Sequence, residues 1–235
     1  MEYLLELPEC PSLPIVGQTK RFPIRHVFCV GRNYAEHAKE MGGDASKEPP
    51  FFFSKPARSV VPGGGTIHYP LATNNLHYEF EMVVAIGKEG THIPPEAALE
   101  HVFGYALGLD MTRRDLQDVA KQTRRPWDFG KAFDEAAPIG PIYPVATHGH
   151  PSSKGIWLKV NGQLRQQGDL RDMIWPVPDM IAFLTQYYTL RPGDLIMTGT
   201  PAGVGAVVPG DELLGGIDGL GELAVKIAPP LYPAK

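Results

Sequence analysis

The chain has 235 residues, enough for one large domain or for a body with a small appendage. Hydrophobic residues make up 43% and charged residues 20%, a balance that excludes intrinsic disorder, while 26 glycines and 24 prolines promise many turns. A net charge of −4 without a basic stripe argues against nucleic acid as a partner, and no apolar run approaches the ~18 residues that span a membrane.

Residues 1–25 read as a small N-terminal segment and 26–235 as the main body. The first ten residues carry neither a basic start nor an adequate apolar stretch, so no signal peptide is expected and the compartment expected is the cytoplasm. Cys10 and Cys29 are too few for a disulfide framework, and Cys29 falls in an apparent buried strand from His26 to Val30, so reduced thiols are expected. Residues 33–41 form a short helix pattern with Asn33 as N-cap, Glu36 three positions later and Gly42-Gly43 as the stop. An apolar run, Pro50-Phe-Phe-Phe53, follows. Strands are expected over 79–86 and 102–109, then a helix over 110–122 with Thr112 and Asp115 placed as a capping box. A strand at 156–160 leads into Val160-Asn-Gly-Gln163, the pair favoured in two-residue hairpins. A helix over 179–189 is apolar at Met180, Phe183, Leu184 and Tyr187, and strands close the chain at 195–198 and 223–227. Many short strands with few helices give an α+β, mainly β fold class.

On the strand beginning at residue 77, Tyr78, Phe80, Met82, Val84 and Ile86 share one face, and His77, Glu79 and Glu81 share the other. Two readings stand: a solvated polar face, or a pair of carboxylates screened by a cation. Asp110, at the end of the apolar strand over 102–109, is either a turn residue or a third acid for the same purpose. Two Glu and one Asp make an all-oxygen set, which suits Mg²⁺ or Mn²⁺ better than Zn²⁺.

His37 and Glu40 are three residues apart on the short helix. They are either an exposed polar face or a histidine oriented by a carboxylate as a general base. A helix of about nine residues is marginal alone, so residues 33–43 are expected to act as a lid ordered by a ligand. Lys131, among Trp127, Phe129 and Phe133, is either a surface lysine on an aromatic stem or a partly buried cation facing an anion. The loop Thr198-Gly-Thr200-Pro-Ala-Gly-Val-Gly205 lacks the Gly-Lys-Ser/Thr of a phosphate loop and the third glycine of a dinucleotide fingerprint; it suits close approach of backbone and Thr200 to a small ligand.

Taken together, Gly31-Arg-Asn-Tyr-Ala-Glu-His37, Phe53-Ser-Lys-Pro56, Asn75-Leu-His-Tyr-Glu-Phe-Glu81 and Gly104-Tyr-Ala-Leu-Gly-Leu-Asp-Met-Thr112 resemble the fumarylacetoacetate hydrolase family. So do Arg114-Asp-Leu-Gln117, Lys131, Trp157-Leu-Lys-Val-Asn-Gly162 and the loop at 198–205, in the same order, with the acylpyruvate (fumarylpyruvate) hydrolases as the nearest kind. The resemblance implies a distorted β-sandwich or β-roll with a short lid helix, a homodimer, and Mg²⁺ or Mn²⁺ on Glu79, Glu81 and Asp110. It implies that His37 and Glu40 activate water, and that Lys131, Arg114, Gln117 and Thr200 contact the 2-oxo acid end of the substrate. Tyr78 stands where many members have a second histidine, on the face away from the glutamates. The expected reaction is hydrolysis of the C–C bond of an acylpyruvate, fumarylpyruvate to fumarate and pyruvate above all. Arg124 or Arg125 is the candidate for the far carboxylate. The alternatives are oxaloacetate decarboxylation, isomerisation of a 2-oxo diacid, or a non-catalytic metal-dependent binding protein.

Overall fold

The alternation along one strand sets the layers of this protein. In the computed structural model, which describes residues 4–5, 9–42 and 49–231, every residue of Phe80–Ile86 is buried. Phe80, Met82, Val84 and Ile86 enter one apolar cluster, and Val83 and Ala85 enter another on the opposite face. The strand lies in the middle of an eight-stranded sheet. Its order is Phe51–Lys55, His26–Gly31, Asp194–Met197, Phe80–Ile86, Val102–Leu109, Ala137–Ile139 and Val60–Pro62, with Tyr143–Pro144 also paired to Val102–Leu109. A strand buried on both faces must be apolar on both, and this one is, apart from Glu81 near its start.

On one side this sheet packs against a five-stranded sheet ordered Gln163–Asp169, Gly155–Val160, Glu212–Ile217, Glu222–Ala228 and Gly65–His68. Ile156, Leu158, Leu213, Val225 and Ile227 from that sheet share the larger cluster with Phe80, Met82, Tyr105 and Leu107. On the other side a hairpin of Ser12–Pro14 and Arg21–Pro23 places Leu13 and Phe22 in the smaller cluster with Val27, Cys29, Leu195 and Met197. The α+β, mainly β architecture expected from the sequence is present, and its helices are few and short. The expected hairpin also forms: Asn161 and Gly162 both have positive φ, 50° and 76°, as a turn matched to the strand twist requires.

The helices depart from their sequence signals. Residues 35–40 are helical, but Asn33 is not the cap: Tyr34 occupies that position and no side chain caps the helix. The Asn33 amide instead donates to the carbonyls of Trp175 (3.0 Å) and Thr198 (2.8 Å), and its Oδ1 accepts from the Trp175 N–H (2.7 Å). A local cap has given way to three tertiary bonds. Gly43, half of the expected stop, falls outside the described residues. The second helix starts at Arg114 and runs to Thr123, without a capping box. Thr112 pairs as a strand with His77, and the Asp115 carboxylate holds Thr73 Oγ1 (2.6 Å) and Asn74 N (3.0 Å). The third spans Val177–Leu184 behind Pro176 and ends before Tyr187, which is exposed.

Asn33→Ala should therefore act as a core substitution and not as a lost cap. Leaving one N–H and two carbonyls unpaired costs about 2–4 kcal/mol, read as a clear drop in Tm or urea midpoint. A loss below about 1 kcal/mol, the typical value of a cap, would contradict this role.

Candidate metal centre and active site

Strand register brings the acids together. Phe80 pairs with Leu109, so the residues just beyond, Glu79 and Asp110, face one another, and the Asp110 N–H donates to the Glu79 carbonyl at 2.8 Å. Glu81 follows on the same side of the chain as Glu79. Oxygens of the three carboxylates lie within 4.8 Å of one another, and all three residues are buried. The solvated-face reading of Glu79 and Glu81 is thereby excluded.

Three cations enclose this acid cluster. Lys131 Nζ stands 2.7 Å from both Glu79 Oε2 and Asp110 Oδ2, Arg114 Nη2 is 2.5 Å from Glu79 Oε1, and Lys55 Nζ is 2.8 Å from Asp110 Oδ1. Burial alone would raise the Glu79 pKa, but Lys131 and Arg114 outweigh it and hold the carboxyl well below its usual range. Burial likewise penalises the Lys131 ammonium, and Asp110 with Glu79 more than restores it, so its pKa is raised. Glu81 differs. Its Oε2 accepts from the Gly199 N–H at 2.8 Å, yet burial, then Asp110 and Glu79, push its pKa well above the usual value.

This donor set fits a divalent cation. It is all carboxylate, and it holds an acid, Glu81, that has no ion pair of its own among the described residues. One more oxygen, Asp110 Oδ1, is buried and accepts no hydrogen bond of good geometry, although Lys55 lies close by. Hard oxygen ligands favour Mg²⁺ or Mn²⁺.

His37 and Glu40 reach the same place from the short helix Ala35–Glu40. His37 is buried and its Nδ1 lies 3.3 Å from Glu40 Oε2. A carboxylate only accepts, so Nδ1 carries the proton and Nε2 is left as the basic nitrogen. Burial lowers the His37 pKa, opposed by Glu79 and by the bond to Glu40. Glu40 also accepts from the Gly203 N–H at 3.2 Å, which ties the helix to the loop after Thr198. His37, Glu79, Glu81, Arg114, Gln117, Lys131 and Thr200 all line one cavity. Gln117 Oε1 accepts from Arg114 Nη1 at 2.6 Å. The Thr200 hydroxyl donates to the Phe80 carbonyl (2.8 Å) and accepts from Gln166 Nε2 (2.7 Å), so it anchors its loop to the strand that carries Glu81. Gly199 is needed there: its φ is +88°, and a Cβ would lie 2.7 Å from that of Asn33.

Sequence reasoning passed over several contributors. Lys55, within the quoted Phe53-Ser-Lys-Pro56, is fully buried and donates to the carbonyls of Met111 (3.0 Å) and Lys131 (2.5 Å) besides neutralising Asp110. A lysine ending an apolar strand was the available signal. His77 is a neighbour of Arg114, whose Nε–H points to His77 Nδ1 at 3.4 Å; burial and Arg114 push its pKa down to about 4. Arg124 and Arg125 are exposed at the far end of their helix and do not line the cavity; Arg32 and Lys121 do. Tyr78 packs in the core away from the acids, as expected.

A mainly β fold with a buried all-oxygen cation centre, and with a histidine oriented by a carboxylate lining the same cavity, defines a metal-dependent enzyme. The chain belongs to the fumarylacetoacetate (FAA) hydrolase family: the model of that family's C-terminal domain matches residues 26–228. It is similar to a crystal structure of fumarylpyruvate hydrolase from Pseudomonas aeruginosa in complex with Mn²⁺ and pyruvate, with 54% identity, a TM-score of 0.94, and coverage of 97% of this chain and 99% of that one. It is 47% identical to a fumarylpyruvate hydrolase of Ralstonia over 187 residues, 79% of this chain and 96% of the relative. To a mitochondrial oxaloacetate tautomerase of Homo sapiens it is 42% identical over 208 residues, 88% and 94% of the two chains.

Glu81→Gln keeps the volume and the Gly199 hydrogen bond and removes only the charge. It should weaken Mn²⁺ binding by about tenfold or more in calorimetric titration while the far-ultraviolet circular dichroism stays unchanged. Wild-type affinity in this variant would remove Glu81 from the ligand set.

Proposed function

We propose that this protein hydrolyses the C–C bond of an acylpyruvate, with fumarylpyruvate, giving fumarate and pyruvate, as the best-fitting substrate. The observation that carries the reading is that His37, held by Glu40, lines the same cavity as Glu79 and Glu81 of the three-carboxylate cluster. The likeness to a fumarylpyruvate hydrolase that binds Mn²⁺ and pyruvate supports the choice of substrate.

Glu79, Glu81 and Asp110 would hold a divalent ion, which would supply Lewis acidity at the 2-oxo acid end of the substrate. His37 Nε2 takes a proton from a water, and Glu40 steadies the imidazolium through Nδ1–H. The hydroxide adds to the distal acyl carbonyl, and the bond between that carbon and C3 of the pyruvate unit breaks. The electron pair leaves as the pyruvate enolate, which regains a proton at C3. Lys131, buried beside Glu79 and Asp110, offers its ammonium to the developing negative charge, and Arg114 with Gln117 fixes the 2-oxo acid end.

Oxaloacetate is the competing substrate, favoured by the likeness to an oxaloacetate tautomerase. Its decarboxylation gives the same pyruvate enolate without an attacking water, whereas its tautomerisation moves only a C3 proton and passes through the enolate of oxaloacetate itself. His37→Ala and Glu40→Ala should therefore lower acylpyruvate hydrolysis by ~10²–10⁴-fold and spare oxaloacetate decarboxylation. Lys131→Ala should impair both reactions. Because burial depresses the His37 pKa, the neutral base persists as pH falls, and the acid limb of kcat/KM should lie below the usual value of 6.5. Equal loss of the two activities in His37→Ala would show that the pair does not activate water.

We also propose a homodimer. Trp157, Leu164, Leu214 and Ala224 share the outward face of the five-stranded sheet, with Leu164 52% exposed. Light scattering should give twice the chain mass of 25.7 kDa, and Leu214→Glu should reduce it. A monomer at micromolar concentration would refute the assembly.

A further inference from the structure

The inner charges of the cavity are already matched. Lys55, Lys131 and Arg114 equal Glu79, Glu81 and Asp110 in number, so a divalent cation leaves the inner end of the cavity net positive, as suits the carboxylate of a 2-oxo acid. Two further cations line the same cavity on its more exposed side, Arg32 and Lys121. Nothing in the reaction described above uses them.

We propose that Arg32 and Lys121 form a second anion subsite that receives a carboxylate on the acyl chain, so that the preferred substrates are acylpyruvates ending in a second carboxylate. This deepens the acylpyruvate reading and rests on it.

A continuous surface joins the two ends. Lys131 lies over the Phe53 ring at 5.0 Å from its centroid, Phe53 contacts Trp127 at 5.6 Å, and Lys121 lies over Trp127 at 5.5 Å. An aromatic wall thus runs from the inner lysine to the outer one, with a cation at each end. A planar unsaturated chain with a carboxylate at either end matches both the wall and the charges. Lys121 is also crowded by like charge: burial, then Arg114 and Arg32, depress its pKa against the pull of Asp118, which stands 3.6 Å away. An incoming carboxylate would relieve that repulsion. Arg32 meanwhile holds a left-handed backbone, φ 58°, between the end of His26–Gly31 and the buried Asn33. A non-glycine residue kept in that conformation where it lines a cavity is a common mark of a functional position.

The test uses the Mn²⁺-loaded protein and the variants Lys121→Met, Arg32→Gln and Lys121→Arg. Discrimination, the ratio of kcat/KM for fumarylpyruvate to that for acetylpyruvate, which lacks the second carboxylate, should fall by about tenfold or more in the first two. The fall should sit in KM, and Lys121→Arg should restore most of the ratio. Equal losses for both substrates would overturn the subsite. Fumarate binding by calorimetry judges the subsite without turnover: about tenfold weaker binding in Lys121→Met and Arg32→Gln supports it, and an unchanged Kd overturns it. If the wild-type protein cleaves neither acylpyruvate, the hydrolase reading fails, and the fumarate measurement alone decides the subsite.

Discussion

Burial of three carboxylates in one place is the constraint around which this protein is organised. An unpaired buried charge costs several kcal/mol, and three like charges within 4.8 Å also repel one another. The chain answers with Lys55, Lys131 and Arg114, each delivered by a different segment, and leaves Glu81 with a single backbone donor. The result is a cluster stable enough to fold around and still short of positive charge at one carboxylate. A cation completes it.

The surrounding structure supplies the precision that such a cluster needs. Register between two central strands sets Glu79 against Asp110, and Gly199 turns its loop so that a backbone N–H meets Glu81. Asn33 spans the strand end, Trp175 and Thr198, which fixes where the short helix begins. Lys55 binds the carbonyl of Lys131 as well as the side chain of Asp110, so the two lysines are positioned relative to each other. These supports sit in the central sheet or directly at its strand ends, whereas His37 and Glu40 come from a six-residue helix held to the loop through Gly203. Chemistry that needs a fixed cation and an admitted substrate is served by that division.

The sequence by itself determined whatever repeats locally. A two-residue period placed a strand over 79–86, observed as 80–86, and put the glutamates on one face; an apolar run marked 102–109, and Asn161-Gly162 specified its turn because both residues tolerate positive φ. The oxygen-only donor set pointed to a hard cation before any geometry was known. Family resemblance added His37, Glu40 and Lys131, whose residue types alone left an exposed helix face and a surface lysine as open readings.

Tertiary structure decided what depends on partners distant in the chain. Asn33 has the side chain of a helix cap, and Thr112 with Asp115 the spacing of a capping box, but the carbonyls of Trp175 and Thr198 and the strand at His77 compete for them and win. No local pattern could pair Lys55 with Asp110, or tell that Lys121 and Arg32 face the cavity while Arg124 and Arg125 face solvent. Side-chain periodicity is a property of neighbouring residues. Charge compensation in a low-dielectric interior belongs to the folded volume, where the energy of each group is set by whatever the fold brings within a few ångström of it.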